Sequence, residues 1–180
     1  MNTRRLFLTC LVIVCCLICN AQNDSIAISQ MKEVGVYYFD GPTLKQMSPI
    51  IPEGSKGSIG ILKVSGSLEY LGENSENVFN NSPEVYVYIP SEYKNRMNVK
   101  QFRMVTLTSK KGIRKLKIVS ANMLKGKTGA KTIVMETKKL NEECYKLYLS
   151  EPIEEGHYGI FYNYGQGVPR KLYDFDVINK

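Results

Sequence analysis

The chain has 180 residues and a net charge of +7, which is long enough for one ordinary domain with its own core. It contains a single histidine, His157, and four of its five cysteines lie within the first 19 residues. These counts exclude a multi-histidine metal site, and they leave Cys144 without a disulfide partner in the rest of the chain.

The first 21 residues have the pattern of a secretory signal peptide. Arg4 and Arg5 precede an apolar run from Leu6 to Cys19, and small residues at Cys19 and Ala21 predict cleavage before residue 22. About 14 apolar residues are fewer than the roughly 20 that span a bilayer, so an uncleaved anchor is disfavoured. We therefore expect no transmembrane segment after signal cleavage.

Lipidation of a signal cysteine is the alternative to simple cleavage. Bacterial lipoprotein signals place a small residue before the acceptor cysteine, whereas Cys15 precedes Cys16 and Ile18 precedes Cys19. Simple cleavage is the better prediction. The expected location is then the periplasm, the outer membrane as an associated protein, or the extracellular space.

Alternation of side-chain type predicts β-strands along most of the mature chain. Val85, Val87 and Ile89 alternate with Tyr86 and Tyr88, as in a strand with two distinct faces. The same period recurs at 145–149, 158–162 and 173–177. Short Gly-rich turns between these runs favour an antiparallel sandwich or barrel, of which the Ig-like β-sandwich is the commoner at this size.

The predicted strands divide the mature chain into unequal parts. Residues 22–33 are expected to form a flexible tail, 34–83 an N-terminal β-hairpin extension and a linker, and 84–180 the β-sandwich core. An isolated hairpin is marginally stable in water, so we expect it to pack on or extend that core. Three apolar-phase residues are predicted to share one core: Leu147, Ile160 and Phe175.

An ordered set of strand-like motifs resembles a family of exported β-sandwich proteins of unknown function from Bacteroidetes-type bacteria. The motifs are Gly35–Gly41, Pro83–Tyr88, Phe102–Leu107, Ile113–Leu116, Glu155–Ile160 and Tyr173–Asp176. The family's penultimate motif usually looks like Pro-Gly-Glu-Tyr, whereas Glu155 replaces the proline here and His157 replaces the glutamate. The resemblance implies an all-β exported protein and no established activity.

A second resemblance concerns modification. Asp24-Ser25-Ile26 is similar to the Asp-Ser/Thr-aliphatic site at which such bacteria attach O-glycans to exported proteins. In the predicted flexible tail, a glycan on Ser25 would meet no packing constraint. Ser25 is therefore a candidate O-glycosylation site, and the alternative is a disordered polar N-terminus.

Charge is segregated along the mature chain. Residues 94–139 contain fourteen Lys or Arg and one acid, whereas residues 22–93 and 140–180 have net charges of −5 and −3. Seven bases form our candidate anionic-ligand surface: Lys110, Lys111, Arg114, Lys115, Lys117, Lys125 and Lys127. Its expected partner is an anionic envelope polymer or an acidic protein, because export disfavours nucleic acid. Alternatively, these bases are solvated strand residues, or they pair with the acidic flanks.

No residue is assigned to catalysis, a cofactor or a metal. His157 follows two glutamates and a glycine, so we expect a turn residue in water. Asp174 and Asp176 could bind a hard cation, but are predicted to form the polar outer face of the last strand. Cys144 is expected to be a small hydrophobe at a strand edge. Residues 121–128 match a loose P-loop pattern, but the following strand indicates an ordinary turn.

These features predict a non-catalytic binding or structural module of the bacterial cell envelope or surface. One alternative is a small hydrolase of envelope polymers that uses carboxylates near Glu154 and Asp174, which would need to converge in a cleft. Another is an accessory subunit of an outer-membrane assembly, which would expose a tyrosine-rich apolar patch.

Overall fold

A computed structural model describes residues 24–25, 27–59, 64–120, 128–165 and 168–178. The signal peptide prediction lies outside these residues. Fourteen strands form within them: β1 (Gly35–Asp40), β2 (Thr43–Gln46), β3 (Gly54–Ile59), β4 (Val64–Leu71), β5 (Val78–Phe79), β6 (Val85–Tyr88), β7 (Phe102–Lys110), β8 (Ile113–Ser120), β9 (Thr128–Ala130), β10 (Thr132–Ile133), β11 (Glu136–Lys139), β12 (Cys144–Tyr148), β13 (Gly156–Tyr162) and β14 (Tyr173–Val177). Two short 3-10 helices span Ser91–Tyr93 and Val99–Gln101.

The strands form two sheets, which confirms the predicted all-β, sandwich-like fold. Sheet one has five strands in the order β11-β12-β6-β1-β2, and sheet two has nine, with β3-β4-β8-β7-β13-β14-β5 as its main path. The pairings are antiparallel except for β5, which runs parallel to β14. The β1–β2 hairpin joins sheet one through β6, where Val36 lies opposite Val87.

The main core lies between the two sheets. Val36, Val85 and Val87 of sheet one belong to one buried cluster with residues of β7, β13 and β14. Leu147, Ile160 and Phe175 are members of this cluster, so the prediction that they share a core is confirmed. Period-two alternation succeeded here because each of these strands directs one set of side chains at the facing sheet.

Sheet two is also buried on its other face. Val105 and Phe161 follow the inward-facing Met104 and Ile160, yet both are fully buried in a second cluster with Tyr70, Leu107, Leu116 and Leu172. Gly159 fits on this face because a Cβ there would approach the Leu172 side chain to 2.6 Å. Consecutive buried residues in β7 and β13 therefore mark strands that are covered on both sides.

A third cluster covers the outer face of sheet one. Residues 24–25 and 27–30 are helical, and Ala27 and Met31 pack against Tyr37, Tyr86 and Cys144. We predicted a flexible tail at 22–33. In the structure, the apolar side chains of Ala27 and Met31 instead cover the outer face of sheet one. Across the described ranges, no helix has the length and apolar character needed to cross a bilayer.

The main core makes a stability prediction with an internal control. Ile160 is 0% exposed and Ile51 is 60% exposed. Ile160→Ala should lower the free energy of unfolding by about 2–5 kcal/mol, because it removes packed methyl groups and leaves a cavity. Ile51→Ala should change it by less than about 0.5 kcal/mol. Urea denaturation of the two variants checks this, and equal midpoints would contradict it.

Candidate functional site

The candidate anionic-ligand surface is only partly assembled. Lys110 and Lys111 are exposed at the β7–β8 turn, where Lys111 and Gly112 have positive φ angles of 55° and 73°. Lys117 is exposed on β8, while Lys115 Nζ lies 2.9 Å from Glu69 Oε1 of the neighbouring strand β4. The two remaining lysines of this surface, Lys125 and Lys127, lie outside the described residues.

Arg114 does not belong to that surface. It is 4% exposed, and its guanidinium forms an ion pair with the carboxylate of Asp174, which is 3% exposed. Its Nε and Nη2 also donate to the carbonyl oxygens of Gly72 and Leu71, at 3.2 and 3.1 Å. Arg114 lies two residues from the buried Leu116 on β8, so its side chain points to the second cluster rather than to solvent.

The two aspartates of β14 are buried, which corrects the predicted polar outer face. Asp176 Oδ2 accepts a hydrogen bond from the Ser75 amide at 2.9 Å, and Asp176 Oδ1 lies 2.7 Å from His157 Nδ1. His157 is directly opposite Asp176 in the β13–β14 pairing. It is therefore a half-buried cross-strand partner of a carboxylate, not a solvated turn residue.

These polar groups do not form a nucleophile–base arrangement. Ser75 Oγ donates to the backbone oxygen of Asp174 at 3.0 Å, and no described contact joins it to His157. Cys144 lies in the cluster on the outer face of sheet one, whereas His157 lies on sheet two. Burial raises the pKa of the Cys144 thiol to about 12, so it stays protonated at neutral pH.

The structure brings no metal or paired-carboxylate site together from the predicted residues. Glu154 is exposed before β13, while Asp174 is buried and engaged by Arg114. Within the described ranges, no group of three or more His, Cys, Asp or Glu side chains could hold a metal ion. The buried polar groups instead bond one another, Arg114 with Asp174 and Asp176 with His157 and Ser75.

A different site lies where β13 ends and β14 begins. This cleft has a volume of about 580 Å³ and is lined by tyrosines and by cations. We call it the Tyr–Arg cleft. Its tyrosines are Tyr93, Tyr162, Tyr164 and Tyr173, and its cations are Arg96, Arg170 and Lys171. None of the described residues that line it is acidic.

The aromatic wall of the Tyr–Arg cleft has a fixed part and an exposed part. The Tyr162 hydroxyl accepts a hydrogen bond from the Asn98 amide at 3.0 Å, and the Tyr162 ring packs edge-on against Phe102 with centroids 5.3 Å apart. Tyr164 is 60% exposed, and its ring centroid lies 4.8 Å from that of Tyr162. The Arg170 guanidinium lies 5.5 Å from the centroid of the Tyr164 ring. Tyr164 and Arg170 thus form a preassembled cation–π pair that faces solvent.

Tyr173 also lines the cleft and packs against the main core. Burial, and to a smaller extent the nearby Tyr164, raise the pKa of Tyr173 above its ordinary value. The phenol therefore stays protonated at physiological pH. Together, aromatic faces and three cations suit a ligand that carries both apolar faces and anionic groups.

Sequence reasoning missed most of this cleft. Arg170 and Lys171 lie in the acidic C-terminal segment, and Tyr164 lies beyond the end of the alternating strand. Of the three cations of the cleft, only Arg96 comes from the basic segment 94–139. The available signal was the sequence Tyr162-Asn163-Tyr164 followed shortly by Arg170-Lys171, an aromatic and basic cluster on one connection between strands.

Comparison with protein-family models, with curated proteins and with solved structures finds no significant match to this chain. The resemblance to an exported family therefore stays a prediction. The residues of the Tyr–Arg cleft are the basis on which a function can be proposed.

The buried ion pair yields a prediction about stability. Arg114→Met would leave the Asp174 carboxylate buried without its countercharge, so the free energy of unfolding should fall by about 3–5 kcal/mol. Lys110→Met is the matched control, because Lys110 is exposed and should change stability by less than about 0.5 kcal/mol. Urea denaturation compares them, and an Arg114→Met midpoint as high as that of the control would refute a structural role for the pair.

Proposed function

We propose that this protein is an exported, non-catalytic binding module of the bacterial cell envelope or surface, and that its Tyr–Arg cleft binds an anionic envelope polymer. One observation carries the proposal: three cations and an exposed tyrosine line the cleft, and no acid is present among its described lining residues. Such a site attracts a negatively charged ligand and also offers it an apolar contact surface.

Charge and aromatic surface contribute differently to the proposed binding. Arg170 presents a planar guanidinium that can bond a carboxylate or phosphate with two parallel hydrogen bonds. Tyr164 presents an apolar ring face with a polar hydroxyl, at the low entropy cost of two side-chain torsions. The cations draw the polymer in over roughly 8 Å, and the ring then contacts its apolar faces.

The exposed lysines of the β7–β8 turn support this role at longer range. Lys110, Lys111 and Lys117 are exposed and add positive potential. Surface charge of this kind raises the association rate of an anionic partner more than it fixes a bound geometry. Lys110, Lys111 and Lys117 are thus proposed to steer the polymer, and the Tyr–Arg cleft to hold it.

The Tyr–Arg cleft leads to a binding prediction, for which the exposed Lys110 and Lys111 provide the control. Tyr164→Ala and Arg170→Ser should each weaken binding to polygalacturonate by about tenfold, because each removes about 1.4 kcal/mol of contact. Lys110→Ser combined with Lys111→Ser should weaken it less. Isothermal titration calorimetry measures the affinities, and wild-type binding should weaken as NaCl rises from about 50 to about 300 mM.

Two results would count against the cleft. Unchanged affinity in Tyr164→Ala and Arg170→Ser would show that the Tyr–Arg cleft is not the binding site. A larger loss of affinity in the Lys110/Lys111 variant would instead place the binding site at the exposed lysines of the β7–β8 turn. Tight binding to polyglutamate but not to polygalacturonate or lipopolysaccharide would indicate an acidic protein partner instead.

Export makes a separate prediction. The Arg4-Arg5 pair, the apolar run and the Ala21-Gln22 junction support cleavage at that junction. Mass spectrometry of the protein purified from its native source should find Gln22 as the N-terminus, either free or cyclised. A lipid-modified N-terminal cysteine at Cys16 or Cys19 would contradict simple cleavage.

A further inference from the structure

A second cleft adjoins the first. Its volume is about 430 Å³, and it lies between the start of β7 and residues 134–137, which lead into β11. We call it the Val134 cleft, after the side chain that is 81% exposed at its rim. Val99, Met135 and Leu147 contribute apolar surface.

The two clefts share a wall. Phe102 lines both of them, and the segment 96–103 supplies residues to each. Arg96 and Met97 face the Tyr–Arg cleft, whereas Lys100 and Arg103 face the Val134 cleft. One short stretch of chain therefore separates two sites of similar size.

This dividing segment is fixed at both of its ends. The Asn98 amide donates to the Tyr162 hydroxyl at 3.0 Å, and Asn98 Oδ1 accepts from the Lys100 amide at 2.9 Å. The Asn163 amide donates to the Gln101 carbonyl oxygen at 3.0 Å. The ridge between the clefts is thus held by β13 and the residue after it, so the spacing of the two sites is set by the sheet.

The Val134 cleft shares cations and apolar surface with the Tyr–Arg cleft, although it has no tyrosine and includes one acid. Both combine apolar surface with cations: Lys100 and Arg103 line the second cleft, against one acid, Glu136. The Arg103 guanidinium is held by the carbonyl oxygens of Lys100 and Phe102, so its position is fixed. A repeated pattern of this kind matches a ligand whose own chemistry repeats along a chain.

We infer that the Tyr–Arg cleft and the Val134 cleft are adjacent subsites for one acidic polysaccharide chain. This inference rests on the proposed function and names its ligand class. A lone phosphate or a single anionic sugar would occupy one cleft, and each cleft lies in the size range of small-ligand sites. A longer chain would occupy both, and the second contact would form at the high effective concentration that the first one creates.

The test uses oligogalacturonides of about two and about eight units with the signal-free, full mature protein. Calorimetry should show the longer oligomer binding at least about tenfold more tightly, because only it reaches both subsites. Lys100→Glu should remove most of that gain while leaving the affinity for the short oligomer within about twofold. Lys131→Glu is the matched control, since Lys131 is exposed, carries the same charge change and lines neither cleft.

A second variant guards against a purely electrostatic effect. Val134→Ser changes no charge and alters an exposed side chain, so it should fold normally and still reduce the gain for the long oligomer. Equal affinity for both lengths would overturn the two-subsite inference while keeping the Tyr–Arg cleft. Equal losses in Lys100→Glu and Lys131→Glu would also overturn it. Absence of binding at either length would overturn both proposals.

Discussion

The buried ion pair between Arg114 and Asp174 is the constraint around which sheet two is organised. Arg114 lies on β8 and Asp174 on β14, and β7 and β13 separate these strands in the sheet. A buried charge without a countercharge costs several kcal/mol, so the pair fixes how the strands and the neighbouring chain come together. The same guanidinium binds the carbonyl oxygens of Leu71 and Gly72, which secures the chain where it leaves β4.

Asp176 extends this network to the segment before β5. Its carboxylate binds the Ser75 amide and the His157 ring, while the Asn77 side chain binds the Asp174 carbonyl oxygen. Residues 72–83 form the end of the segment 34–83, which we predicted to be a hairpin extension and a linker. Ser75 and Asn77 bind this stretch to β14. Ser75 and Asn77 of this stretch satisfy buried polar groups of β14, whereas Glu73, Asn74 and Glu76 are exposed.

The His157–Asp176 pair of this network and the Tyr–Arg cleft lie towards opposite ends of the same two strands. His157 pairs with Asp176 at one end of β13 and β14, and Ile160 pairs with Tyr173 near the other. Tyr162 and Tyr173 are therefore held by strands whose register is fixed by buried charge at one end and by packed apolar side chains along their length. A binding site gains precision when its side chains stand on such elements.

How much the sequence predicts depends on what each strand face meets. Alternation correctly placed Val85, Leu147 and Phe175 inside, because an apolar face has one stable destination. It failed for Asp174 and Asp176, since a polar face can meet either water or a second buried layer with matching charges. The cue was in neighbouring strands, where Phe161 follows Ile160 without a break in apolar character. The Tyr–Arg cleft could not be predicted from the sequence, because the fold brings residues 93–102 and 162–173 together.

The segregated charge of the chain also acquires a physical explanation. Bases of the 94–139 segment pair with acids from both flanks: Lys115 with Glu69, Arg114 with Asp174, and Lys138 with Asp24. Among the ion pairs formed between described residues, none involves Arg96, Arg170 or Lys171. Positive charge that is neutralised within the fold contributes little to a ligand site, whereas uncompensated charge in a concave site is focused towards the ligand. The cleft where cations remain uncompensated is therefore a better guide to binding than the segment where cations are most numerous.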